Sequence, residues 1–331
     1  MPVSVRSFAK INLGLAIGAK RDDGFHELRT IYQTIALHDV IRVDVGRGTG
    51  IEIRCKDPRV PADESNTCWR IAERVMRALK RRGKVVIGIE KNLPVQGGLG
   101  GGSSNAVATM FALERALRLE LPASERLRIA SEVGSDLPLF LLGGTVLGCG
   151  HGEEIYPLPD LPSIACVIAT PAVGVSTTEA FRRWDEFRAA EDKLTPQFPS
   201  TTIQGFSRSA FEWLNGTLSG VPAVPGKQVA NGQVSGDRAE TLLLDLVRAG
   251  IENDFERVVF PMYPELREVK RLLEKSDSSY ASLSGSGATL YGLYRLPEQA
   301  EAAAKGLSED GICAQATTTL KRARYLEQRF A

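Results

Sequence analysis

Five glycines fall within six residues at Gly97–Gly102, in the stretch NLPVQGGLGGGSSN that spans residues 92–105. The chain then enters AVATMFALERAL, whose composition reads as a helix. Glycine loses more backbone freedom on folding than any other residue, so such a run needs a structural reason. One reason is a loop with several residues at positive φ. Another is a backbone that an anion must approach closely, cradled by amide N–H groups. Ser103 and Ser104 stand where an N-cap is expected, with Asn105 in the first turn. The helix dipole adds partial positive charge at the same place. A phosphate cradle is therefore expected. The plain alternatives are a flexible linker or a tight turn, but a linker would not be flanked by a strand and a strong helix.

Two well-known phosphate loops do not fit. The G-x-x-x-x-G-K-[ST] loop needs a lysine after the glycines, and none occurs before Lys193. The G-x-G-x-x-G dinucleotide fingerprint fails on spacing, and the preceding strand KVVIGIEKNLP ends in a proline.

The rest of the chain narrows the function classes. Its 331 residues suit one large domain or two ordinary ones. With 41 Lys+Arg against 40 Asp+Glu, broad nucleic-acid binding by phosphate neutralisation is not expected. The longest apolar run, LPLFLLGGTVLGC, is too short and too interrupted to span a bilayer, so no membrane association is expected. The N-terminus MPVSVRSFAKINLGL lacks a signal-peptide pattern, which reads as cytoplasmic. The five cysteines are scattered without a C-x-x-C pair, and with only three histidines neither a disulfide framework nor a zinc site is expected.

Periodicity gives an α+β organisation in both halves. Residues 3–18, RTIYQTIALHDVIRVDVG, GIEIRC and KVVIGIEKN read as strands, and NTCWRIAERVMRALKRRG as an amphipathic helix closed by a glycine cap. A composition shift near Asp160-Leu-Pro suggests domains at 1–158 and 159–331. Residues from about 193 to 237 are rich in Ser, Gly, Pro, Thr, Asn and Gln and read as a mobile insertion. A helical run interrupted by Pro261 and Pro264 follows, then a small-residue turn, the strand ATLYGLYRL, the helix PEQAEAAAKGLSE and the strand GICAQATTTL.

Other stretches carry possible chemistry. SLSGSGATLYG places a second glycine-and-hydroxyl loop at Ser282–Thr289; alone it is an ordinary turn, but two such loops favour a shared polyanion site. Strand alternation puts Lys10 and Asn12 on one face, with a solvated strand face as the plain reading. Asp136, in GSDLPLF, reads as a helix N-cap. Phe25-His26 follows a turn glycine that can present both outward; such a pair is either core filling or a reader of a flat heterocycle.

Taken together and in order, FAKINLGL, LPVQGGLGGGSSNAVA, GSDLPLFLLGG and SLSGSGATLYG resemble the GHMP small-molecule kinases. AKINLGL, RDDGFHEL and GLGGGSSN resemble the branch of that family that acts on a cytidine diphosphate conjugate. The likeness covers residues 5 to about 182 and again about 240 to 320. The chain departs from the pattern between about 185 and 240, and in having Phe25 where the family commonly has Tyr.

The resemblance implies a two-domain α+β GHMP kinase fold with its active site in the cleft between domains. It implies ATP and Mg²⁺ as cofactors and a small-molecule cytidine diphosphate substrate, with a protein that is a monomer or weak homodimer. Pro94, Gln96, Gly97, Gly98, Leu99, Gly100, Gly101, Gly102, Ser103, Ser104 and Asn105 would wrap the ATP phosphates, and Ser103 or Ser104, with Ser104 preferred, would bind the metal. Asp136 would take the proton from the substrate hydroxyl, and Lys10 would keep it ionised. Asn12 would orient the substrate, His26 would read the cytosine edge and Phe25 would stack on it, with Phe181 as the opposite face. Ser284, Gly285, Ser286 and Gly287 would complete the substrate site. The alternatives are a mevalonate- or homoserine-type kinase of the same family, or a sensor that has lost catalysis.

Overall fold

The computed structural model describes residues 2–95, 97–191 and 252–330. Gln96, the segment at 193–237 and the run up to Ile251 lie outside the described residues. The chain divides into two compact units: residues 1–12, 17–160 and 317–331 form the first, and 13–16 with 161–316 the second. Residues 317–331 thus belong with the N-terminal unit, unlike a single cut after residue 158.

The first unit is built on a six-stranded sheet. Its strands are β1 (Val3–Lys20), β2 (His26–Gly46), β3 (Ile51–Cys55), β4 (Lys84–Glu90), β5 (Thr145–Cys149) and β6 (Glu154–Pro157). The order is β3-β4-β2-β5-β6, with β1 also paired to β2. β2 runs antiparallel to β4 and to β5, while β3 runs parallel to β4. The helices are α1 (Thr67–Ala78), α2 (Gly101–Leu117), α3 (Ala123–Val133) and α4 (Leu137–Leu142). Ile41, Val43 and Ile87 from the sheet bury against Ile71 and Val75 of α1 and Met110 and Leu113 of α2.

α1 starts where Asn66 accepts the Cys68 amide at 2.8 Å, a side-chain N-cap. It ends earlier than the expected glycine cap: Lys80 takes φ 52°, and the amides of Lys80 and Arg81 close on Arg77 and Met76 carbonyls. The sequence reading missed a C-terminal helix, α9 (Arg322–Gln328). It is held in the first unit by the buried Tyr325, whose hydroxyl donates to the Phe140 carbonyl at 2.5 Å.

The second unit carries a four-stranded sheet in the order β10-β7-β9-β8. These are β7 (Ala165–Thr170), β8 (Tyr280–Leu283), β9 (Leu290–Tyr294) and β10 (Cys313–Thr318). Its helices are α5 (Thr177–Glu191), α6 (Glu256–Met262), α7 (Pro264–Lys275) and α8 (Pro297–Glu309). α6 contains Pro261 and Pro264 opens α7, so only the second proline marks a break. β8 occupies part of the stretch read as a small-residue turn. Glu256 pins it, accepting the Leu283 amide at 2.9 Å and the Ser282 hydroxyl at 2.7 Å. Among the described residues no helix is long and apolar enough to cross a membrane, and all five cysteines are free thiols.

Candidate active site

The glycine loop joins β4 to α2 and turns twice through the left-handed region, at Gly98 (φ 76°) and Gly100 (φ 68°). Helix α2 begins inside the glycine run, with Gly100 as its N-cap. The serines therefore sit deeper than expected, and no side chain caps the helix. Its first turn carries no acidic residue either, so its leading amides point out with no side-chain acceptor supplied. Beside it lies a cavity of about 390 Å³, lined by residues 97–103 together with Pro94, Lys91, Asn66, Thr67 and Arg59.

Ser103 lines this cavity and Ser104 does not. The Ser104 hydroxyl is buried and donates to the Phe8 carbonyl at 2.7 Å while accepting from Ser7 at 2.7 Å. The hydroxyl preferred for the metal, Ser104, is thus turned away from the cavity and already bonded, and Ser103 is the one that faces it. Asn105 does line the cavity, with its side-chain atoms engaged by the fold: its Oδ1 accepts from Ser7 at 2.6 Å and its Nδ2 donates to Asp39 at 3.0 Å.

Asp39 was missed by the sequence reading. Its carboxylate is fully buried and collects four donors: the Asn92 and Leu93 amides and Lys91 Nζ, each at 2.7 Å, and Asn105. It ties the loop entrance to the start of α2. Nothing in ALHDVIR distinguishes it, because its partners lie more than fifty residues away.

Lys10 lies in the middle of β1, only 3% exposed, so the solvated-face reading fails. Its amide donates to the Leu99 carbonyl at 3.0 Å, which fastens β1 to the glycine loop. Its Nζ donates to Asn12 Oδ1 at 2.6 Å and stands 3.7 Å from Asp136 Oδ2. Burial pushes the ammonium below its ordinary pKa, and Asp136 partly offsets that. Asn12 is held in turn by Thr30, whose hydroxyl oxygen accepts from its Nδ2 at 2.7 Å.

Asp136 occupies the N-cap position of α4 but makes no capping bond. Its side chain, 33% exposed, instead faces Lys10 and accepts the Tyr32 hydroxyl on Oδ1 at 3.0 Å. The helix-cap reading of Asp136 is thus overturned. Its carboxylate is spent on side chains of the sheet and not on the helix.

Phe25 and His26 separate. Phe25 is 59% exposed at the turn before β2, whereas His26 is 7% exposed at the strand's first position. The expectation that both point outward therefore holds for Phe25 alone, because β2 draws His26 into the sheet. Phe25 rests on a residue the sequence reading passed over, His151, with ring centroids 4.6 Å apart. His151 is fixed by Asp23 at 3.0 Å, and this contact, with the Phe25 amide, lowers the Asp23 pKa.

In the second unit, Gly285 (φ 60°) and Gly287 (φ 95°) form a tight loop between β8 and β9. Buried Asn253 holds it, with Nδ2 donating to the Leu283 carbonyl at 2.8 Å and the Gly285 carbonyl at 2.7 Å. Ser284 is buried, and Ser286 shares a 2.7 Å hydrogen bond with Thr177 at the start of α5. Phe181, on α5, packs edge-on against Phe255 at 4.9 Å.

Family models for the GHMP kinases N-terminal domain and the GHMP kinases C-terminal domain match residues 66–144 and 239–313. The chain belongs to the GHMP kinase family. Within it, the chain is similar to the 4-diphosphocytidyl-2-C-methyl-D-erythritol kinase of Solibacter usitatus, at 36% identity over 98% of this chain and 92% of that one. A crystal structure of 4-(cytidine 5'-diphospho)-2C-methyl-D-erythritol kinase matches at 28% identity and a TM-score of 0.69, covering 96% of this chain and 98% of that one. A homoserine kinase from Cytophaga hutchinsonii has a TM-score of 0.66 at 19% identity, covering 97% of this chain and 95% of that one, a likeness of fold alone.

Proposed function

We propose that this chain transfers the γ-phosphoryl group of ATP to the 2-hydroxyl of 4-diphosphocytidyl-2-C-methyl-D-erythritol, a step in making non-mevalonate isoprenoid precursors. The observation that carries the reading is the Lys10–Asp136 pair, 3.7 Å apart, in which Lys10 lies on a strand bonded directly to the glycine loop and Asp136 at the start of α4. Phosphoryl transfer asks mainly for positioning and charge stabilisation, and this arrangement supplies both.

The ATP phosphates lie against the uncapped start of α2, whose free amides and dipole favour an anion. The residues present also fit Mg²⁺: Ser103 offers a hydroxyl at the cavity and would hold the ion together with phosphate and water oxygens. The described residues hold no group of three or more His, Cys, Asp or Glu that could bind a metal by themselves. When bound, the ion neutralises charge on the phosphates. Asp136 accepts the proton of the substrate hydroxyl. That oxygen bonds to the γ-phosphorus, and the bond to the β–γ bridging oxygen breaks with its electron pair leaving on ADP. Lys10 faces the Asp136 carboxylate and stabilises charge on the moving group. Asn12 holds the ammonium in place and, through it, orients the hydroxyl-bearing end of the substrate.

Phe25 offers an exposed face on which cytosine stacks, and His26 reads the base edge. In this reading the enzyme works in the cytoplasm as a monomer or weak homodimer. The test is ADP release with ATP and Mg²⁺ in the presence of the cytidine diphosphate conjugate, mevalonate or homoserine in turn. Turnover with the first alone is expected, and turnover with either of the others in its place would refute the reading.

A further inference from the structure

Tyr32 has no part in the chemistry above, yet the fold is shaped around it. It lies in β2 opposite Val146 of β5, 2% exposed. Gly148 follows two residues along β5, on the same face. A Cβ there would fall 2.5 Å from Tyr32 Cε2. Gly152, in the turn between β5 and β6, has φ 104°, and a Cβ on it would fall 2.4 Å from the Tyr32 hydroxyl oxygen. The same point is only 3.8 Å from Asp136 Oδ1. Two glycines thus clear a seat for this ring and this hydroxyl, and the hydroxyl donates to Asp136 Oδ1 at 3.0 Å.

We propose that Tyr32 is a positioning residue for Asp136: its O–H holds Oδ1 and so leaves Oδ2, on the Lys10 side, as the oxygen that takes the substrate proton. The proposal rests on Asp136 being the base. An Asp136 without a capping bond has no helical partner to fix its rotamer, and Tyr32 provides one. Burial, and then the Asp136 charge, push the phenol well above its usual pKa, so Tyr32 stays a neutral donor. The titratable groups around the pair are Lys10 from β1, Tyr32 from β2 and Glu153 from the β5–β6 turn, whose charge also acts on Tyr32.

The experiment is kcat and KM for both substrates in the wild type and Tyr32→Phe, which keeps the ring and deletes the hydroxyl. The kcat at neutral pH should fall roughly tenfold, the scale of one hydrogen bond to a charged group. The KM for ATP should not change. In an Asp136→Asn background, Tyr32→Phe should add nothing further. Gly152→Ala crowds the hydroxyl more than the ring, and Tyr32→Phe should restore part of the melting temperature it loses. An unchanged kcat in Tyr32→Phe, or a further loss of kcat when it is added to Asp136→Asn, would overturn the proposal, because a loss from packing alone does not act through Asp136. If Asp136→Asn itself turns over normally, the base assignment has failed, which is a separate result from the first.

Discussion

The bare α-carbon of Gly100 packs against Phe140 and Lys10: a Cβ there would lie 2.9 Å from Phe140 Cζ and 3.1 Å from Lys10 Cγ. The glycine loop, α4 and the lysine strand meet at this point, and φ 68° adds a second reason for glycine. Gly100→Ala should lower stability by about 2–4 kcal/mol, combining left-handed strain with overpacking. Because Lys10 is pushed as well, kcat should fall beyond what partial unfolding explains. Chemical denaturation and turnover on the same preparation measure both, and a normal midpoint would show that the contact yields freely.

Asp39 is the anchor of the loop entrance. Asp39→Ala leaves Lys91, 9% exposed at its side chain, and two backbone amides without their acceptor. Breaking a buried pair in this way should cost about 3–5 kcal/mol. The KM for ATP should rise more than that for the cytidine substrate, since the loop is what loosens. Equal rises in the two KM values would argue against a local role.

Phe25 is exposed, so its truncation should leave the melting temperature nearly unchanged. Stacking of a base on an aromatic ring is worth about 1–3 kcal/mol, so Phe25→Ala should raise the KM for the cytidine substrate roughly tenfold or more. The KM for ATP should hold, and Phe25→Tyr should be mild. The contrasting case is His26→Ala: a buried histidine should cost stability, and any selective loss of cytidine affinity would have to exceed that. Thermal melts beside the two KM values separate these effects.

Lys10 sets a trade between stability and activity. Its folded pKa lies below the ordinary 10.5 because burial disfavours the charge. Below the folded pKa that burial costs stability; as pH rises from the folded pKa towards 10.5 the native protein sheds its proton first, and stability is regained. Lys10→Met should therefore abolish at least about a hundredfold of kcat without lowering stability at neutral pH. The stability of the wild type relative to Lys10→Met should improve as pH climbs through that window. A relative stability that falls there would give the shift the opposite sign.

What could be read from sequence was local. The glycine loop announces itself because its chemistry lies in consecutive backbone atoms, and β1, β2, β4 and the helices α2 and α8 follow from patterning. What escaped depends on distant partners. Lys10 looked solvated by alternation, but β1 is buried along most of its length on both faces. Asp136 looked like a cap because Tyr32, a hundred residues earlier, is invisible from GSDLPLF. Asp39 and Asn253 are single polar residues whose donors and acceptors come from other elements. Helix α9 is a polar stretch with one buried side chain, Tyr325, so its amphipathic signal is too weak to see.

Asp136→Asn keeps the size and packing of the side chain while removing the proton acceptor. Steady-state turnover of the folded variant with the cytidine diphosphate conjugate, alongside direct ATP binding, is the most immediate test of the proposed chemistry. The expected result is a kcat lower by about a hundredfold or more, the scale of general-base catalysis, with ATP affinity close to wild type. Turnover near the wild-type rate would contradict the assignment of Asp136 as the base.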